Sequence, residues 1–429
     1  MKYKKKIQTA SASRINIVFN KTKLDNGLRI LSEEVPGAES FALGISINVG
    51  SRDDFPNSGG LAHFLEHISY RHTKTRTGRQ ISNSFESAGA YANAYTTKEM
   101  TCFYVRALNA HFSQMLELLL DITFNQIYLE KDIKKEKSII IEEIKSYEDD
   151  PEELIIDYAD RALFGAHPLG NPIVGSEESV MDIDIAAIKR FHHSFYTLPN
   201  IAITYSGSLN HDILCNEISK QLNNIEIATS DINFNKSRST PSFVLPQKAN
   251  FLKPFQQAHI LCARTAPGLD SDSRFPLTLL NIVLGDGMSS RLNQNLRERN
   301  ALAYTVYSTL QQMSDSGGIY IYAAAEEKKA EKTATLIRKE ISRMAEGNIT
   351  KAELSRAKEQ LKSSSIMALE SLSTRMQSLA KSELLLGKYE DIYETIHLLD
   401  SVTLENVNET AGRFFKPENW SEIIFLPEP

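Results

Sequence analysis

The sequence predicts an α+β fold of two related domains, each a mostly antiparallel sheet with helices packed on one face. Three observations carry this expectation. Short segments of alternating polarity are interleaved with long segments of helical apolar spacing. Their order partly repeats after a polar stretch near the middle of the chain. Of the 429 residues, 41% are hydrophobic, enough for sizeable cores. At roughly 100–200 residues per domain, the length suits two or three domains.

Taken in order, the chain opens with a basic tail over residues 1–22. Lys23–Leu31 then reads as strand, turn, strand, because Asn26-Gly27 is a strong hairpin signal. Phe41–Val49 alternates as a strand. Gly59-Gly60 precedes a helix carrying His63 to His67, and Tyr91–Arg106 returns to strand character. Phe112–Phe124 and Glu130–Tyr147 have helical spacing, and Ile201–Ser206 is a strand. This first domain spans 23–228. A polar stretch over 229–250, with Ser237, Ser239, Pro241 and Pro246, is the linker candidate. The second domain, 251–429, repeats the theme. It has a strand from His259, a helix over Arg274–Leu284, a glycine turn at Gly285-Asp286-Gly287, strands near Tyr304 and over Ile319–Ala324, and helices from Ala330 and Thr350.

Bulk properties narrow the function. A formal net charge of −6 argues against nucleic-acid binding through a basic field. No apolar run approaches the roughly 18 residues that cross a bilayer, so no membrane role is expected. Cys102, Cys215 and Cys262 are far apart and odd in number. They read as buried thiols of a reducing compartment, and the expected location is the cytoplasm. The acid-free stretch before Asp25 also suits an organelle transit peptide.

The chemistry concentrates in His63-Phe64-Leu65-Glu66-His67. At about 100° per residue, the two histidines lie roughly 40° apart and one turn apart on a helix. Leu61, Phe64, Leu65 and Ile68 cover much of the remaining circumference. Two imidazoles so placed can chelate one zinc ion. A carboxylate beside them, Glu66, can take a proton from a water whose pKa a metal lowers to about 7. A catalytic zinc needs a third protein ligand. In the Glu130–Tyr147 helix, Glu143 projects near the face of Ile140, Ile144 and Tyr147, whereas Glu142 points away. An acid on that face costs several kcal/mol to bury without compensation, and a metal ion would compensate it. Glu143 is therefore the expected ligand, with one Zn²⁺ per chain. Glu136, on the same side, is a candidate for supporting a ligand or handling protons.

These residues, within Ser58-Gly59-Gly60-Leu61-Ala62-His63-Phe64-Leu65-Glu66-His67, resemble the pitrilysin family of inverted-motif zinc peptidases. That family includes insulin-degrading enzyme and mitochondrial processing peptidase. The resemblance runs from about Leu24 to Phe415. It implies Glu143 as third ligand and Glu136 as a catalytic-support acid. It likens Gly89–Thr97 to an edge strand on which substrate adds as a further strand, making Asn93 and Ala94 substrate-binding candidates. It also implies that Arg297 and Tyr304, beyond the glycine turn, hold a substrate carbonyl or an oxyanion. Tyr70-Arg71-His72-Thr73 departs from the Gly-Thr common in relatives. His72 could be mistaken for a ligand, and His167 in Ala166-His167-Pro168 reads as structural.

The expectation is a zinc metalloendopeptidase of peptides or unfolded segments, working as a homodimer, or as a heterodimer with a homologous chain. The alternatives within the same resemblance are a presequence-processing peptidase and a non-catalytic core subunit.

Overall fold

A computed structural model describes residues 18–225, 227 and 238–429. Most of the basic tail and the first part of the polar stretch at 229–250 lie outside the described residues.

The first sheet contains β1 (Val18–Lys23), β2 (Arg29–Glu34), β3 (Ser40–Ile47), β4 (Tyr91–Thr96), β5 (Thr101–Leu108) and β6 (Ile201–Gly207). Their spatial order is β1-β2-β6-β3-β5-β4. Only β2 and β6 pair in parallel. The Asn26-Gly27 turn joins β1 to β2, with Gly27 at φ 89°, a conformation that favours glycine. The segment of strand character over Tyr91–Arg106 is a hairpin, turned at Thr97–Met100, where Thr97 Oγ1 accepts from the amides of Glu99 and Met100.

The second sheet contains β7 (Lys248–Lys253), β8 (Ala258–Pro267), β9 (Ala303–Gln312), β10 (Ser316–Ala325) and β11 (Ser421–Pro427), ordered β7-β11-β8-β10-β9. Here β7 and β11 are the parallel pair. β7 begins inside the stretch expected as linker.

Two compact units result, and neither is one continuous segment. One gathers the described residues of Met1–Glu142, Pro172–Arg238 and Met367–Glu390; the other gathers Glu143–Asn171, Ser239–Ile366 and Asp391–Pro429. This differs from a single division at the polar stretch, and the reason lies in burial. Each sheet is covered on both faces, so each needs more helical surface than one contiguous half supplies.

In the first unit, the expected helix Phe112–Phe124 covers one face, with Phe112 edge-on to Phe41 of β3. The helix Leu372–Lys381 covers the other, where a Cβ on Gly44 would lie 2.4 Å from Met376 Sδ. A buried ion pair, Arg375 to Glu33 at 2.8 Å, ties that helix to β2. In the second unit, Ile260, Cys262, Ile319 and Ile321 face one core with Leu277, Leu280 and Ile337. Their strand neighbours Leu261, Ala263, Tyr320 and Tyr322 face another, with Ile155 and Ala159 of the helix Pro151–Phe164. Alternate residues thus serve opposite cores.

Candidate metal centre

The helix Leu61–Ile68 is built to present polar groups on one side. Leu61, Phe64, Leu65 and Ile68 are buried, Glu66 and His67 line a cavity, and His63 is buried beside His67. Its start is fixed by Gly60, at φ 86°; a Cβ there would meet Val174 O at 2.5 Å, so only glycine fits. Asp54 accepts from the amides of Gly60 (2.7 Å) and Ala62 (2.8 Å), satisfying donors that the first turn leaves open. Burial pushes the Asp54 carboxyl up to about 8, against the opposing pull of the Ala62 and Gly60 amides.

His63 is buried, and burial followed by the neighbouring His67 pushes its pKa down to about 3. Its imidazole is therefore neutral near pH 7, the form that ligates metal. His67 is held by the long helix Glu130–Asp149: its Nδ1 lies 3.3 Å from Glu136 Oε2. Arg71 Nε donates to the other oxygen of Glu136. Burial opposes the charge of Glu136, but the bonds from His67 and Arg71 hold its pKa below the ordinary carboxylate range. An ionised Glu136 requires Nδ1 of His67 to be the donor and leaves Nε2 for another partner.

Glu143 lies two turns beyond Glu136 on the same continuous helix, half-buried, while Glu142 is exposed. His63, His67 and Glu143 each offer a ligand atom, all within 4.8 Å of one another. Zinc bonds of about 2.0–2.2 Å place tetrahedral donors roughly 3.4 Å apart, a short approach from this arrangement. Two imidazoles and one carboxylate, spaced His-x-x-x-His plus a distant acid, are a donor set that suits zinc and leaves a fourth position open. Glu66 stands beside this group, and its Oε2 accepts from Thr96 Oγ1.

A cavity of about 630 Å³ is lined by Glu66, His67, Asn93, Ala94 and Glu136, among others. Asn93 and Ala94 lie on β4, the edge strand of the first sheet. Arg297 and Tyr304 belong to the second unit, in a π-helical turn (Asn293–Arg299) and on the edge strand β9. They meet there, with Arg297 Cζ 4.9 Å from the Tyr304 ring centroid. Tyr304 is 81% exposed, unusual for so large a ring and suited to contact with another molecule. The glycine turn before them is fastened: Gln360 donates to Asp286 O, and Arg291 makes a two-pronged contact with Glu353.

His72 is paired with Asp132 at 2.7 Å and is outside the group of potential metal ligands. His167 accepts from the Leu169 amide and contacts Ser239, a structural role. Sequence reasoning missed Thr96, Arg71, Asp132 and Asp54. Thr96 shares strand parity with Ala94, and Asp132 lies one turn before Glu136. Those signals were present, but they gain meaning only once the partner is known.

Comparison with known proteins places this arrangement. The profile described as Insulinase (Peptidase family M16) matches residues 29–177, and that described as Peptidase M16 inactive domain matches residues 182–361. The uncharacterized zinc protease YmxG of Bacillus subtilis is 35% identical over 402 residues, covering 94% of this chain and 97% of that protein. An uncharacterized zinc protease of Rickettsia bellii is 31% identical, over 95% of this chain and 97% of its own length. A protease from Helicobacter pylori, known from its crystal structure, shares the fold with a TM-score of 0.88 at 21% identity, over 96% of this chain and 100% of that one. The two-sheet fold is that of a peptidase M16 scaffold, and its His/His/Glu group offers ligands for one metal ion. The chain belongs to peptidase family M16, the insulinase and pitrilysin family.

Proposed function

We propose that this protein is a zinc metalloendopeptidase that hydrolyses peptides or unfolded segments, with His63, His67 and Glu143 holding the metal and Glu66 as general base. The observation that carries this reading is the convergence of three ligand atoms within 4.8 Å, with a fourth polar side chain, Glu66, on the same helix face. When bound, zinc polarises the scissile carbonyl and lowers the pKa of water to about 7. Glu66, steadied by Thr96, takes a proton from the attacking water and passes it to the leaving amine. Glu136 orients the His67 ring and fixes its tautomer. β4 offers its edge to an extended substrate at Asn93 and Ala94.

Arg297 and the Tyr304 hydroxyl hold a substrate carbonyl or steady an oxyanion. The active form is a homodimer, each site combining the metal-bearing half of one chain with the Arg297/Tyr304 half of the other. The location is the cytoplasm, in keeping with three free cysteines. Among the described residues no helix is long and apolar enough to cross a membrane.

Zinc analysis joined to cleavage mapping on a mixed peptide library tests the reading. Zinc-dependent cleavage of many peptides is expected. Cleavage of presequences at one site alone would make the protein a processing peptidase. Absence of zinc and of cleavage would make it a core subunit. Mixing a Glu66→Gln chain with an Arg297→Ala/Tyr304→Phe chain tests the shared site: partial recovery of activity is expected, and verified mixed dimers without recovery would overturn it.

A further inference from the structure

The cavity lined by Glu66 and His67 is also lined by charged side chains from other elements. Its ionised lining comprises three acids, Glu66, Asp132 and Glu136, and three cations, Arg71, Arg79 and Lys135. These do not simply cancel. Glu136 is bound to His67 and Arg71, which also occupies Arg71. Asp132 Oδ2 lies 2.7 Å from His72 Nδ1, and Glu66 accepts from Thr96, so each acid already faces a neighbour of its own. Arg79 and Lys135 are exposed and have no hydrogen-bond or ion-pair partner among the described residues.

The two cations come from different elements. Lys135 stands on the helix Glu130–Asp149. Arg79 stands in the first turn of the helix Gly78–Ser87, a turn with no acidic residue. A cation there opposes the positive end of the helix dipole, an unfavourable placement that a bound anion would relieve. The net charge of the chain is −6, so two such cations in one cavity are a local arrangement and not a reflection of overall composition.

We infer that this cavity selects an acidic side chain, Asp or Glu, on one flank of the cleaved bond, with Arg79 and Lys135 as specificity-determining residues. The inference rests on the peptidase reading and adds a substrate class to it. Exposed pairs are individually weak, so the two cations together favour Glu over Lys by about tenfold in kcat/KM. Because the pairs are solvent-exposed, salt weakens the preference as the Debye length falls from about 10 Å at 0.1 M to about 3 Å at 1 M.

The test uses the full chain with zinc and amidated peptides, which lack a C-terminal carboxylate. Peptide pairs differ only in Glu or Lys at each position flanking the cut. Glu should be favoured at one position. Arg79→Gln/Lys135→Gln should abolish that preference and Arg79→Glu/Lys135→Glu should invert it, with zinc content kept as a check on the site. Charge-blind cleavage by the wild type, or a preference that survives the inversion, would overturn the inference and leave the peptidase reading standing. Failure of that reading would look different: no zinc-dependent cleavage of any peptide, which would remove both.

Discussion

In the first unit β2, β6, β3, β5 and β4 lie side by side, the first pair parallel and each later pair antiparallel. In the second unit β7, β11, β8, β10 and β9 repeat that order and those directions. The helix that follows the second of these strands in the chain differs sharply between them. Leu61–Ile68 carries His63, Glu66 and His67, whereas Arg274–Leu284 buries Leu277, Leu279, Leu280, Ile282, Val283 and Leu284. The scaffold is thus satisfied by an apolar helix at this place. The imidazoles and carboxylate of the first helix are not needed for packing, and burying them costs stability unless something compensates. Each unit also ends its sheet on the corresponding strand, β4 with Asn93 and Ala94, and β9 with Tyr304.

This comparison can be broken at several points. The largest effect is expected at Glu66. Glu66→Gln should lower turnover about a thousandfold while zinc is retained; unchanged turnover in a peptide assay would remove Glu66 as base. In the other unit, Arg297→Ala/Tyr304→Phe should lower kcat/KM about a hundredfold with zinc content unchanged, a loss of transition-state contact. An equal loss of zinc would show instead that the variant disturbs the metal ligands, of which Glu143 itself belongs to the second unit.

Stability effects are smaller. Gly60→Ala should cost about 3 kcal/mol in urea unfolding, from its positive φ and the clash with Val174 O, whereas Gly59→Ala, with its nearest contact at 3.6 Å, should be nearly neutral. The single tryptophan, Trp420, lies in the second unit. If the units unfold independently, its fluorescence will not follow the loss that hydrogen exchange reports in the first.

The smallest effect concerns pH. Burial pushes His192 down to about 4, with its Nε2 on Thr123 O. A histidine with a depressed folded pKa favours the fold above its unfolded pKa near 6.5, and that contribution fades as pH falls toward 4. Acidification from pH 7 to 5 should therefore cost about 1–2 kcal/mol through this group. His192→Gln should flatten the dependence in denaturation curves.

Much of the site was legible because helical spacing is a strong constraint. His63, Glu66 and His67 follow from one turn of helix, and projection separates Glu143 from the exposed Glu142. The same projection put Tyr147 on the apolar face, yet it is 37% exposed, because the helix is near its end there. β7 was hidden because Lys248-Ala249-Asn250-Phe251 follows a polar run without a turn signal. The exchange of Glu143–Asn171 and Met367–Glu390 between the units was not legible at all. An apolar stripe on a helix states that it is buried, not which sheet buries it.

Zinc stoichiometry measured on purified wild type, Glu143→Gln and Glu142→Gln tests the central claim most directly. One zinc per chain is expected in the wild type and in Glu142→Gln, with the metal lost or greatly weakened in Glu143→Gln. Full zinc occupancy and unchanged affinity in Glu143→Gln would contradict the assignment of the third ligand, and with it the metal centre described above.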